Sequence, residues 1–162
     1  MGDHDRQPRM TVGDLGRCDP DGYFWFEGRA DDVIKSAGYR IGPFEVESAI
    51  LAHPSVAEAA VVGRSDPITG QAIFSYVILR SGNEPSDELG AELREHVAEM
   101  IGKFARPKQI LFTPDLPKTR SGKIMRRLLR DIAEQRDLGD VTTLADANVV
   151  NTIRDQSGTG EE

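Results

Sequence analysis

The sequence predicts an α+β fold, a small central β-sheet of three main strands with flanking helices and additional β-hairpins. Three observations predict it. Residues 56–62 and 72–79 are dense apolar runs of strand length, and 109–112 is a shorter one. The stretches after Pro43, over 89–101 and over 124–136 instead repeat their apolar positions at helical spacing. Ala37-Gly38 lies between two short β-type segments, where a glycine supplies the hairpin turn. The order is hairpin, α, β, β, α, β, α.

Taken in order, residues 1–10 are polar and aperiodic and are expected to be disordered. Gly13-Asp14-Leu15-Gly16 and Asp19-Pro20-Asp21-Gly22 read as turns, and Tyr23-Phe24-Trp25-Phe26-Glu27 as an aromatic strand. So many aromatics on a small unit point to a neighbour that covers them. Gly28-Arg29-Ala30-Asp31-Asp32 is a polar joint with the composition of a linker. Gly42-Pro43 opens a helix, because proline is favoured in the first turn and Glu45 and Glu47 stand where the helix dipole favours acids. Val46, Ala49, Ile50 and His53 fall at helical spacing, and Pro54 ends the run. Ala57, Ala59 and Ala60 leave room for a helix to pack closely on the first main strand, and 65–70 is a loop. Ser86-Asp87-Glu88-Leu89 is a capping-type start for a helix with Leu89, Leu93, Val97, Met100 and Ile101 on one face, stopped at Gly102. After Leu138 the pattern weakens to a short helical turn at 149–154 and expected disorder at 157–162.

At 162 residues the chain allows one domain of ordinary size with some tail. The 38% hydrophobic share is below the usual range, so part of the length is expected to lie outside the packed core. No apolar run is long enough to span a membrane and no export leader is read. The single cysteine, Cys18, forms no internal disulfide, and with three scattered histidines it makes no metal cluster. These features fit a reducing, cytoplasmic setting. A net charge of −7 argues against a general nucleic-acid binder. Yet seven Lys/Arg face three Asp/Glu between Asp115 and Arg136. A basic island in an acidic chain points to a local anionic ligand or partner, or to a solvated helix face.

The centre of that island is Leu116-Pro117-Lys118-Thr119-Arg120-Ser121-Gly122-Lys123. Pro117 keeps the approach extended. Gly122 permits a sharp turn, and the helical run follows directly, so Lys123 is expected on a loop tip. A lysine there is a compact charge on a flexible stem, suited to a phosphate or carboxylate oxygen; a plain solvated basic turn is the alternative. A Walker phosphate loop is excluded, because Pro117 stands where its first glycine is needed and Ile124 where its Ser or Thr is needed.

Several motifs carry a resemblance. Val12-Gly13-Asp14, Asp21-Gly22-Tyr23-Phe24-Trp25, Gly28-Arg29-Ala30-Asp31-Asp32-Val33-Ile34-Lys35, Gly38-Tyr39-Arg40-Ile41-Gly42 and residues 116–127 occur in the order found in adenylate-forming enzymes. The chain resembles the C-terminal domain of the AMP-forming acetyl-coenzyme A synthetases of that superfamily over roughly residues 10–154. Leu138-Gly139-Asp140 followed by Thr142-Thr143-Leu144-Ala145-Asp146 resembles their tail. The resemblance implies a last β segment of a large N-terminal adenylation domain at 11–30, a mobile C-terminal domain at 31–137 and a partly disordered tail at 138–162. The superfamily's phosphate loop, adenine pocket and acyl pocket are not represented, so activity is expected only with the large domain, in the same or a separate chain.

Residue by residue, the resemblance implies that Asp14 holds the adenylate ribose, that Arg29 reaches its ribose or phosphate side, and that Arg40 meets nucleotide phosphate. Asp31 is implied as the hinge. Lys123 is implied as the catalytic lysine of adenylation and as a site of reversible acetylation, with Arg126 and Arg127 as recognition charges for the modifying enzyme or simply as helix-surface charges. Gly38, with Ala37 beside it, is implied to line the CoA tunnel. Tyr39 stands where acetyl-CoA synthetases commonly have His. The residue that meets the CoA 3′-phosphate is not assigned, because the turn that sometimes supplies it reads Ala98-Glu99 here. The implied substrates are ATP, acetate and CoA, with AMP as product. Mg2+ is expected in the full enzyme but not held by this chain, and the implied protein partners are the large domain and a lysine acetyltransferase or deacetylase. A stand-alone binding or regulatory module is the alternative, as is the same domain from a propionyl- or other acyl-CoA synthetase; nucleic acid and membrane are not expected partners.

Overall fold

The computed structural model describes residues 14–158. The expected disorder at 1–10 and at 159–162, and Val12-Gly13, lie outside the described residues. The chain begins with a hairpin of β1 (Asp14–Cys18) and β2 (Phe24–Arg29). The expected turn around Asp14 is therefore corrected to strand. Pairing with β2 continues through an irregularity between Leu15 and Gly16, a bulge that keeps the ladder running past Gly16. The turn at Asp19 is as expected: its Oδ1 accepts the Asp21 and Tyr23 amides, and Gly22 takes φ +89°. The polar joint narrows to one 3-10 turn, Ala30–Asp32.

Strands β3 (Ile34–Ser36) and β4 (Tyr39–Ile41) form the second hairpin, followed by α1 (Pro43–Leu51). Next come β5 (Val56–Asp66) and β6 (Gly70–Leu79), then α2 (Asp87–Met100), β7 (Gln109–Phe112), α3 (Arg126–Ala133) and α4 (Ala147–Gly158). The sheet has five strands. β6 pairs along its length with antiparallel β5; its other edge is shared by β3 near Gly70 and by parallel β7 over Phe74–Val77. The three main strands are β5, β6 and β7.

Several boundaries differ from expectation. β5 runs on to Asp66, so the loop shrinks to a tight turn in which Asp66 Oδ1 accepts the Ile68 and Thr69 amides. α3 starts two residues later than expected, because Ile124 is held in a bridge with Lys118 and the Met125 amide donates to the Pro117 carbonyl. The weak turn near 149–154 is a twelve-residue helix that includes Ser157. Met100, placed on the apolar face of α2, is 55% exposed, because that face closes on Leu93 and Val97 one turn earlier. The Ser86 cap forms as read, its hydroxyl accepting the Leu89 amide.

The sheet is covered on both faces, which is why β5 reads as a continuous apolar run instead of alternating with polar residues. Ala59, Val61, Ile73 and Val77 point to one side and pack with Val46 and Ile50 of α1 and with Leu93 and Val97 of α2. Ala60, Val62 and Tyr76 point to the other and pack with Leu128, Leu129 and Ile132 of α3 and with Val150 and Ile153 of α4. Each fully buried Ile, Leu or Val contributes about 1.5–3 kcal/mol of transfer free energy. Two cores thus clamp one sheet.

Candidate functional site

The Lys123 loop is built from its own backbone. The Thr119 amide donates to the Lys123 carbonyl (2.8 Å) and the Gly122 amide to the Thr119 carbonyl (2.9 Å), while Gly122 takes φ +85°. The Lys123 amide donates to Thr119 Oγ1, which also shares a hydrogen bond with Ser121 Oγ. Lys118 Nζ reaches both oxygens of Glu58 on β5, at 2.8 and 3.0 Å. Below the tip, Arg126 donates to Glu47 of α1 from Nε (3.1 Å) and from Nη2 to both carboxylate oxygens (2.7 Å each), and its guanidinium lies over the Phe44 ring. Glu47 also accepts the Val61 amide. Burial pushes the Glu47 carboxyl above its ordinary value despite the Arg126 hydrogen bonds and charge.

Out of this anchored frame projects Lys123 itself. It is exposed, and its ammonium makes no hydrogen bond or ion pair among the described residues. The tip is fixed and its cation is open to solvent.

Ala37 and Gly38 form the turn between β3 and β4 with φ +50° and +84°, the left-handed pair that a two-residue hairpin turn demands. The Ala37 amide donates to the Thr69 carbonyl in the β5–β6 turn. Ala37, Gly38, Tyr39 and Arg40 are all exposed, and no atom lies within 4 Å of where a Gly38 Cβ would stand. Tyr39 stacks on Phe104, ring centroids 4.4 Å apart.

The structure does not bring Lys123 and Gly38 together. Lys118 is tied to Glu58 and Ala37 to the turn after Asp66, and eight strand residues, about 26 Å, separate those anchor points. Arg29 and Asp31 lie at the joint, both exposed, with Arg29 Nη2 3.5 Å from Asp31 Oδ2. Asp32 behaves differently from Asp31. Its carboxylate is largely buried and accepts Arg130 Nη2 of α3 at 2.8 Å. The side chain of Asp14 lies outside the described residues' side chains. No group of three or more His, Cys, Asp or Glu among the described residues is arranged to hold a metal, and no described helix is long and apolar enough to cross a membrane.

Residues 45–123 match the model of the AMP-binding enzyme C-terminal domain. The chain is 63% identical over 145 residues to an acetyl-coenzyme A synthetase of Rubrobacter xylanophilus, covering 89% of this chain and 22% of the relative. It belongs to the AMP-binding enzyme C-terminal domain family. A Streptomyces coelicolor acetyl-coenzyme A synthetase is 58% identical over 90% of this chain and 22% of its own length. The chain thus spans about a fifth of the length of the curated relatives it matches. Among solved structures, a Brucella canis acyl-CoA synthetase superposes with TM-score 0.62 at 54% identity, covering 74% of this chain and 22% of that one. The anthranilate CoA ligase AuaEII in complex with anthranoyl-AMP gives 0.69 at 39% identity, over 76% and 24%.

Within this family domain, sequence reasoning missed the ion pairs that hold the loops. In the sequence Glu47 reads only as a helix-dipole acid and Arg126 as a surface or recognition charge. Arg126 is instead 12% exposed and committed to Glu47. A charged residue three places after Lys123 facing an apolar helix was the available signal, but its partner lies 79 residues away. Arg127 is partly exposed and spans to the Asp140 carbonyl and to Asp131.

Proposed function

We propose that the chain is the mobile C-terminal part of an AMP-forming acetate–CoA ligase and works with a large N-terminal adenylation domain. An acetate oxygen attacks the α-phosphorus of ATP, the bond to pyrophosphate breaks, and acetyl-AMP forms. CoA sulfur then attacks the acetyl carbon, AMP leaves, and the thiol proton passes to solvent.

The observation that carries this reading is the open ammonium of Lys123 on a rigid tip. Acetate and ATP are both anions, so a positioned cation lowers their repulsion and stabilises charge developing at the phosphoryl group. The Ala37–Gly38 turn serves the second step, its missing Cβ leaving passage for the pantetheine arm. Because the two tips stand near opposite ends of β5–β6, they serve successive steps, with Asp31 as the pivot between residues 11–30 and 31–137. Asp14 and Arg29 take the ribose and Arg40 the nucleotide phosphate. Mg2+ is required by the whole enzyme and is held outside this chain. Lys123 is also the acetylation site for a lysine acetyltransferase and deacetylase, and the setting is cytoplasmic.

The test joins this chain to its large domain and measures the two half-reactions separately. Lys123→Ala should slow acetate-dependent ATP–pyrophosphate exchange about 100- to 1,000-fold while acetyl transfer from supplied acetyl-AMP to CoA persists. Undiminished exchange in the variant would sink the assignment.

A further inference from the structure

A second place in the domain has the chemistry of a ligand site. It is a cleft of about 400 Å³ on the α3–α4 face of the sheet, within the size range of small-molecule sites. Phe74 of β6 and Gln109 and Leu111 of β7 contribute its floor, and Arg64, Arg136 and Arg154 line it. Three arginines meet there, and none of the lining residues carries a carboxylate. In a chain of net charge −7 this is a local reversal of sign.

The cations come from three separate elements. Arg64 belongs to β5, and its guanidinium lies over the Phe74 ring at 5.2 Å. Arg136 follows the C-terminus of α3, where Gln135 at φ +55° turns the chain, and Arg154 lies on α4. Neither Arg136 nor Arg154 makes a side-chain hydrogen bond or ion pair among the described residues. Guanidinium forks match phosphate oxygens in pairs, and a guanidinium plane stacked on an aromatic ring offers a further flat surface. Phe74, Leu111 and Ile132 give the cleft an apolar side, and Gln109 offers both a donor and an acceptor.

The geometry points to a binding site for a small phosphorylated molecule with a planar ring, of the nucleoside monophosphate class. The phosphate sits among Arg64, Arg136 and Arg154, and the ring lies along the Phe74–Leu111 side. The site is separate from the Lys123 tip and from the Ala37–Gly38 turn, and it needs neither for binding.

The test is calorimetric titration of the full chain with AMP, adenosine and orthophosphate. AMP should bind at millimolar or lower concentration and weaken with added salt. Adenosine and orthophosphate should each bind at least about tenfold more weakly, and Arg136→Ala and Arg154→Ala should each weaken AMP by about 10- to 100-fold. Both arginines are exposed, so circular dichroism should show the fold unchanged. Arg40→Ala should leave this binding intact, which separates the cleft from any nucleotide contact of the hairpin. Absence of AMP binding overturns the proposal. So do orthophosphate binding equal to that of AMP, affinity unaltered in both cleft variants, and loss of binding in Arg40→Ala.

Discussion

Arg126 grips Glu47 through three hydrogen bonds of 2.7–3.1 Å, with both side chains nearly buried, and so ties the start of α3 to α1 directly beneath the Lys123 tip. Deleting one partner leaves the other charge buried and alone. Arg126→Ala is expected to cost about 3–5 kcal/mol in urea denaturation, whereas Glu47→Leu with Arg126→Met should come out near neutral. The Glu47 carboxyl sits above its ordinary value, so the folded state takes up its proton first as pH falls. Its contribution to stability therefore grows on acidification from the folded value towards the unfolded one, opposite to the usual carboxylate.

Asp66 has the opposite sign. The Lys108 hydrogen bond, reinforced by the Thr69 and Ile68 amides, holds its carboxyl well below the usual carboxylate range. The stability it contributes is present above the ordinary value of 3.8 and is lost as pH falls through the depressed folded value. Asp66→Asn should lower the denaturation midpoint at pH 7, and the gap to the parent should narrow steadily below about pH 4. A gap independent of pH would mean that charge plays no part.

The Ala37–Gly38 turn holds a non-glycine residue at φ +50°. Asparagine tolerates that conformation better than alanine, so Ala37→Asn is expected to stabilise by about 0.5–1 kcal/mol. Gly38→Ala should destabilise by about 1–2 kcal/mol through its φ of +84° alone, since nothing nearby would clash. Gly38→Leu joined to the large domain should suppress acetyl transfer to CoA far more than acetate-dependent pyrophosphate exchange. Equal loss of both would remove the hairpin from the CoA side.

Lys123→Gln, which mimics acetylation, should leave thermal stability within about 0.5 kcal/mol of the parent, because no contact of the ammonium is lost. In the joined protein the same variant should lose pyrophosphate exchange as Lys123→Ala does. Exchange retained in Lys123→Gln but not in Lys123→Ala would show that shape, not charge, is what the step requires.

What could be read in advance followed periodicity and turn chemistry. Val61 and Val62 marked a buried strand, Ser86 a cap, and Ala37-Gly38 a hairpin, because each signal is local. The helix carrying Val150 and Ile153 was underestimated, since its polar residues dilute a face that becomes apolar only against α3. Ser65 and Asp66 read as loop, yet pairing with Gln71 and Gly70 makes them strand. Lys123 and Gly38 are proposed from short motifs, but the pairs that hold the Lys123 loop, Arg126 with Glu47 and Lys118 with Glu58, join distant segments and leave no periodic trace.

Arg130 reaches back 98 positions to hold Asp32 at 2.8 Å, while Asp31, one residue earlier, has only a 3.5 Å contact with Arg29. That bond fastens Asp32 to α3, whereas Asp31 has no such tie to the helix among the described residues. On the proposed pivot at Asp31, this tether would carry Asp32 together with α3, so that the torsional change of a rotation falls on the bonds ahead of Asp32. Cutting the tether with Arg130→Ala would lengthen the swivel without touching either loop, so the angle through which the domain settles should become less sharply defined.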